Sequence, residues 1–248
     1  MRAHYVNLID SATLTSDNEN PSYPLTALQH IHLANPFRFN SLAASYIDID
    51  LGSAQAAKSI GIISNLTAAA TITLKGHSDT SSWGAPDVEE TVTAADRNLM
   101  HYFTEETYRY WRLEITDAAN PDGYVEINRL YLGGYLQMPR FAGGLQITHE
   151  DLSSRRFSPA GQPFSVERGR RRSVAFNLPF VLATEKASYD TVLETVGIHT
   201  PLWVAVWESD FTKLEPLYVL HAEGKVNWRK ISTGDWLWEA DLEYIESK

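Results

Sequence analysis

The stretch "YRYWRLEITDAANPDGYVEINRLYLGG", residues 108–134, decides the fold of the first half of this chain. In "YWRLEIT" (110–116), Trp111, Leu113 and Ile115 alternate with Arg112 and Glu114. That period of two is the pattern of a strand with one buried face. "NPDG" (120–123) has turn chemistry, and a second strand follows. In it Val125 and Ile127 share a face, while Leu130 and Leu132 fall out of phase. The slip predicts a β-bulge or a sheet crossing near Asn128–Arg129.

Working outward, "YIDIDL" (46–51), "SIGII" (59–63) and "TITLK" (71–75) read as further short strands. Many short strands with turn signals and little helical periodicity predict a mainly β chain whose first domain, 1–135, is a β-sandwich jelly roll. Gly133–Gly134, Pro139 and Gly143–Gly144 punctuate a junction. Residues 136–248 predict a second domain, a small β-sandwich or barrel with one packed helix. Its strands are "RRSVAFNLPFVL" (171–182), "PLWVAVW" (201–207), "PLYVLHAEGKVNWRK" (216–230) and "GDWLWEADLEYIES" (234–247). In the last, Trp236, Trp238, Ala240, Leu242 and Tyr244 share one side. The helix is 184–197: Tyr189, Val192, Leu193 and Val196 follow helical spacing, with Thr184 as N-cap and Gly197 past the end.

The chain has 248 residues, no cysteine and a net charge of -10. Without cysteine there is no disulfide and no thiolate metal site. Residues 1–135 carry 8 Lys/Arg against 16 Asp/Glu, and residues 136–248 carry 13 against 15. The acidic first half argues against nucleic acid as a partner. There is neither an apolar run of membrane-spanning length nor a signal-peptide core, so no membrane insertion is expected and folding in the cytoplasm is.

No nucleophile elbow, phosphate loop, zincin motif or dinucleotide fingerprint is present, so no catalytic residue and no cofactor is assigned. His30 and His32 share a strand face on paper, but no third ligand can be named, and no metal site is assigned. Asp48 and Asp50 share the solvent face of a strand, where acids are expected without any glycosidase role. Sugar rings stack on aromatic faces beside fixed polar groups. In the loops 17–42 and 76–87 the candidate glycan-binding residues are Tyr23, His32, Arg38, His77 and Trp83; the competing role for Phe37, Phe39 and Trp83 is to plug the sandwich end. In "ERGRRRS" (167–173), Arg168, Arg170, Arg171 and Arg172 are candidates for a subunit interface, with the acidic first half as partner surface; phosphate or nucleic-acid contact and a solvated loop are the alternatives.

"ASYIDIDLGSAQAAKSIGI" (44–62) and the closing pair "YRYWRLEITD…GYVEINRLYLGG" resemble the discoidin domains (coagulation factor 5/8 type C, galactose-binding-like). Tyr110–Trp111–Arg112–Leu113 and Glu126–Ile127 fill that family's closing motif. The resemblance covers about 1–135 and implies a jelly roll that binds glycans or lipids through loops at one end. The terminal cysteine pair of animal members is missing, and no family ligand residue maps here. The second half resembles, by element order alone, the tail-tube-like domain of long-tailed bacteriophage tail proteins. Together these imply a distal or minor tail protein. It would be a structural, non-enzymatic part of the virion tail, assembled in the host cytoplasm as a three- or six-fold homo-oligomeric ring. Its partners would be itself, other tail proteins and host surface glycan. The alternative is a stand-alone bacterial carbohydrate-binding protein.

Overall fold

The computed structural model describes residues 1–79, 83–96, 98–139, 144–207, 210–234 and 236–247. Gly143 and Asp235 lie outside the described residues, as do positions 80–82 of the second aromatic loop. The chain is mainly β. It forms two compact units: residues 2–135 together with 205–216, and Met1 with 136–204 and 217–248. The insert 205–216 joins the first unit through Glu215, which accepts from the Asn98 amide at 2.9 Å.

The strands of the first unit are β1 (Arg2–His4), β2 (Thr13–Ser16), β3 (Phe37–Arg38), β4 (Ser45–Ser64), β5 (Thr71–His77), β6 (Val88–Val92), β7 (Leu99–Thr116) and β8 (Glu126–Gly133). Strands β2 to β8 form one sheet in the order β3-β8-β4-β7-β5-β6, with β2 on β4. The segments 46–51 and 59–63, expected as separate strands, belong to one 20-residue strand. Its register slips between Asp50 and Gln55, where Gly52 takes φ +76°. It pairs with β7 along most of its length, with β2 along its first part and with β8 along its last. Ile47, Ile49, Leu74, Trp111, Leu113 and Ile115 meet Phe37, Phe39, Ile60, Ile62 and Ile127 in one core.

The phase slip in β8 is real. Ser64 pairs with Ile127 but Ile63 with Arg129, leaving Asn128 as the extra residue. Beyond it Leu130, Tyr131 and Leu132 are all buried: Leu130 and Leu132 join the core, and Tyr131 meets the His4 ring edge-on.

The second unit contains β9 (Leu136–Gln137), β10 (Gln146–Asp151), β11 (Ser154–Phe157), β12 (Pro163–Val166), β13 (Arg170–Leu182), helix α1 (Ala183–Val196), β14 (Leu202–Ala205), β15 (Leu217–His221), β16 (Arg229–Lys230) and β17 (Leu237–Glu246). β10, β13, β17, β15 and β14 form one antiparallel sheet, with β16 on β17. Tyr189, Val192 and Val196 bury the inner stripe of α1. Its N-cap is Leu182, not Thr184: β13 runs straight into the helix, and Glu185 reaches back to accept from the Leu182 amide at 2.8 Å. Gly197 ends it at φ +56°. Trp236 does not join the buried row of β17; the strand begins one residue later and the indole is 58% exposed.

Three strands, β10, β11 and β12, were not legible in sequence. They and β13 build a long hairpin whose strand residues from Gln146 to Val166 are all exposed.

Candidate functional site

Of the five glycan candidates, the structure brings Tyr23 and Arg38 together, pairs His77 with Trp83, and leaves His32 apart on the surface. β3 pairs with β8 in the register Phe37↔Ile127 and Arg38↔Glu126. Cross-strand partners share a face. Phe37 therefore drops into the core, edge-on to Phe39, so both phenylalanines plug the sandwich as the competing reading had it. Arg38 points outward beside Glu126, donating from Nε at 2.7 Å. Its guanidinium lies 3.8 Å from the Tyr23 ring and 4.0 Å from the Tyr124 ring. Arg38 is thus covered on both faces, and its role is to hold two tyrosines in place.

Next to Tyr23 is a cleft of about 290 Å³. Tyr23, Pro24 and Ala27 give it apolar wall; Ser22, His30 and Asn35 give it polar groups. The loop that forms it is tied down from behind. Glu19 accepts from the Leu25 amide at 2.9 Å, at the start of a 3-10 turn over Leu25–Gln29. Gln29 donates to the carbonyls of Ile9 and Ala12, and the buried Arg129 donates to those of Leu28 and His30. Asn128, the bulge residue of β8, holds the Leu33 carbonyl at 2.9 Å. A cleft fixed by this many bonds pays little ordering cost when it is filled. His30 lines it although His32 does not. Nothing in the "HIH" spacing separates the two; the 3-10 turn does.

The second cluster lies on the outer face of β4, β7 and β5. Asp48 takes both ends of Arg112 at 2.6 and 2.7 Å, and Arg112 stacks 3.7 Å over Tyr46 and 4.8 Å from Trp83. His77 is buried under Trp83, and its Nδ1 accepts from the Asp79 amide at 2.9 Å. Asp50 likewise grips Arg109 at 2.7 and 2.8 Å; that hydrogen bonding holds its carboxyl below the usual range. Both carboxylates of this strand face are taken up in bidentate pairs.

Among the interface candidates, Arg170 pairs with Asp151 at 3.8 Å, Arg171 with Glu150 at 2.6 Å and Arg172 with Glu246 at 2.5 Å. These three stitch β13 to its neighbours. Arg168 makes no ion pair among the described residues. Neither do Arg155 and Arg156, which sequence reasoning passed over.

The second unit also buries a polar trio. Tyr189 Oη lies 2.7 Å from Tyr244 Oη and 3.2 Å from His221 Nε2. Burial pushes His221 down to about 4. In the first unit His4 sits between Ser59 and Tyr102, each at 3.2 Å; burial and Arg2 push it down to about 3.

No family model matches the sequence, and no curated protein matches it. Solved structures do. A chitosan-binding module from a chitosanase/glucanase of Paenibacillus sp. IK-5 aligns at 18% identity and TM-score 0.44, over 52% of this chain and 99% of the module. The lectin domain of lectinolysin, complexed with Lewis B antigen, aligns at 10% identity and TM-score 0.43, over 52% of this chain and 96% of its own. A Streptococcus pneumoniae fucose-binding module aligns at 8% identity and TM-score 0.43, over 52% and 95%.

Proposed function

We propose that this chain is a non-catalytic glycan-binding protein whose first unit takes a sugar ring in the cleft beside Tyr23. The observation that carries the reading is the cleft itself. It is a preformed concavity of about 290 Å³, lined by a fixed tyrosine together with Ser22, His30 and Asn35. An aromatic edge with a few fixed polar groups is what a pyranose needs. The pairing of Asp48 and Asp50 with arginines favours binding over hydrolysis. The test is a glycan array followed by calorimetric titration of the full chain. Binding is expected in the micromolar to millimolar range. Tyr23→Ala should weaken it by about tenfold or more, the loss of a stacking contact worth about 1.5 kcal/mol. No binding across the array, or binding indifferent to Tyr23→Ala, would remove the reading.

A structural component of a virion tail, assembled in a host cytoplasm and binding further tail proteins, is a second reading. One observation favours it: strands β10, β11 and β12 of the second unit's hairpin are exposed at every residue, which suits a protein that assembles. Imaging by electron microscopy tests it; an isolated, unassembled particle at high concentration and in the presence of tail proteins counts against it.

A further inference from the structure

The hairpin of the second unit is an arm. β10 pairs with β13 from Gln146↔Ala175 to Asp151↔Arg170, and the Leu152 amide donates to the Gly169 carbonyl. The ladder continues through β11 and β12 from Ser154↔Val166 to Phe157↔Pro163, with Glu167 as the extra residue on the return strand. A turn closes it at Ser158–Gln162, with Gly161 at φ +79°. β17 backs β13 only from Ser173 inward. Beyond that the arm is a bare two-stranded ribbon, which is marginal in water unless something packs against it.

Its tip is apolar and basic. Phe157, Phe164 and Val166 are 66%, 61% and 61% exposed. The register puts Phe164 and Val166 on one face with Arg156, and Phe157 on the other with Arg155. Residues 146–173 hold six arginines against three acids, net +3, so the rest of the chain stands at -13.

The same unit carries a surface of opposite character. A cleft of about 440 Å³ is lined by Glu223, Asp241 and Glu243, with Lys225, Val226 and Phe176 among its other walls. Glu223 and Glu243 make no ion pair among the described residues. Gln146, at the root of the arm, also lines this cleft. Phe157 is eleven residues further along the strand, about 35 Å at strand rise. While the ladder is paired, the tip does not reach its own cleft.

We propose that the arm tip, Arg155–Phe157 with Phe164, docks into the Glu223–Asp241–Glu243 cleft of a second copy of this chain. The aromatics gain a wall, and the two arginines meet Glu223 and Glu243, which make no ion pair among the described residues. Giver and receiver surfaces differ, so the contact is heterologous and repeats from copy to copy, closing a ring or extending a filament. The inference concerns assembly alone and stands or falls apart from the glycan reading.

Sedimentation velocity of the full chain tests it, from low micromolar to millimolar protein. The wild type should associate beyond the monomer, less so at high salt. Arg155→Glu/Arg156→Glu and Glu223→Lys/Glu243→Lys should each associate at least about tenfold more weakly, the loss of close charge pairs. Mixed together, they should associate again, since the acidic tip of one now meets the basic cleft of the other. All four positions are exposed, and thermal melts should match wild type. Phe157→Ser/Phe164→Ser should lose association without charge change. A monomeric wild type at millimolar concentration, variants that assemble like wild type, or a mixture that fails to recover would each overturn the proposal.

Discussion

Arg38 shows how one residue sets a site without entering it. Its charge is met by Glu126 and both its faces by tyrosines, so what it offers a ligand is the pose of Tyr23. Arg38→Lys keeps the charge but loses the planar stack. It should weaken glycan binding several-fold with little change in melting temperature, which titration and thermal melts would separate. The glycines that end β8 also divide by environment. A Cβ on Gly133 would meet the Val6 carbonyl oxygen at 2.7 Å, an atom that cannot easily move, whereas one on Gly134 would meet only Lys58 Cε at 3.9 Å. Gly133→Ala should cost about 1–3 kcal/mol in urea denaturation, and Gly134→Ala close to nothing. In sequence the two are an indistinguishable "GG" punctuation; the close backbone approach from Val6 is a tertiary fact that no local pattern carries.

At the scale of elements, alternation was legible wherever one face of a strand is buried and the other wet. Trp111, Leu113 and Ile115 in β7 and Val174, Phe176 and Leu178 in β13 sit inside as their spacing requires. Even the bulge at Asn128 was written in the broken phase of β8. The arm failed that test for a physical reason. Neither face of the β11–β12 ribbon is buried, so each face mixes an arginine with apolar groups, and strands of four residues are too short for a period of two to stand out. The bulge in β13 is a different case. Phe180 adopts φ +56° where the register shifts between Leu178 and Val181, and its ring is 69% exposed. A bulky side chain is strained there by about 1 kcal/mol. Phe180→Gly should therefore leave stability unchanged or raised despite the loss of an aromatic ring, as chemical denaturation would register.

Across the whole molecule, two neutral histidines make stability depend on pH. His4 and His221 stay unprotonated in the fold well below their ordinary value of 6.5, while in the unfolded chain they bind protons at about that pH. The unfolded state therefore binds more protons between pH 6.5 and about 4, and stability falls as pH drops through that window. Each histidine contributes about 1.4 kcal/mol per pH unit there. Denaturation at a series of pH values should show the slope, and His221→Phe should reduce it. The β fold of the first half was legible because its strands alternate wherever one face is buried, as in β7. Of its candidate site, Tyr23 and Arg38 were found as aromatic and polar residues in a loop. The cleft beside them was not, since Ser22, His30 and Asn35 converge only through the 3-10 turn that Glu19, Gln29 and Arg129 hold. Amide chemical-shift mapping on the isotopically labelled chain tests whether this cleft takes a sugar. Titration with an oligosaccharide that binds should move the amides of Tyr23, Thr26, His30 and Asn35 together, saturably. Shifts confined to other surfaces, or none at all, would contradict it.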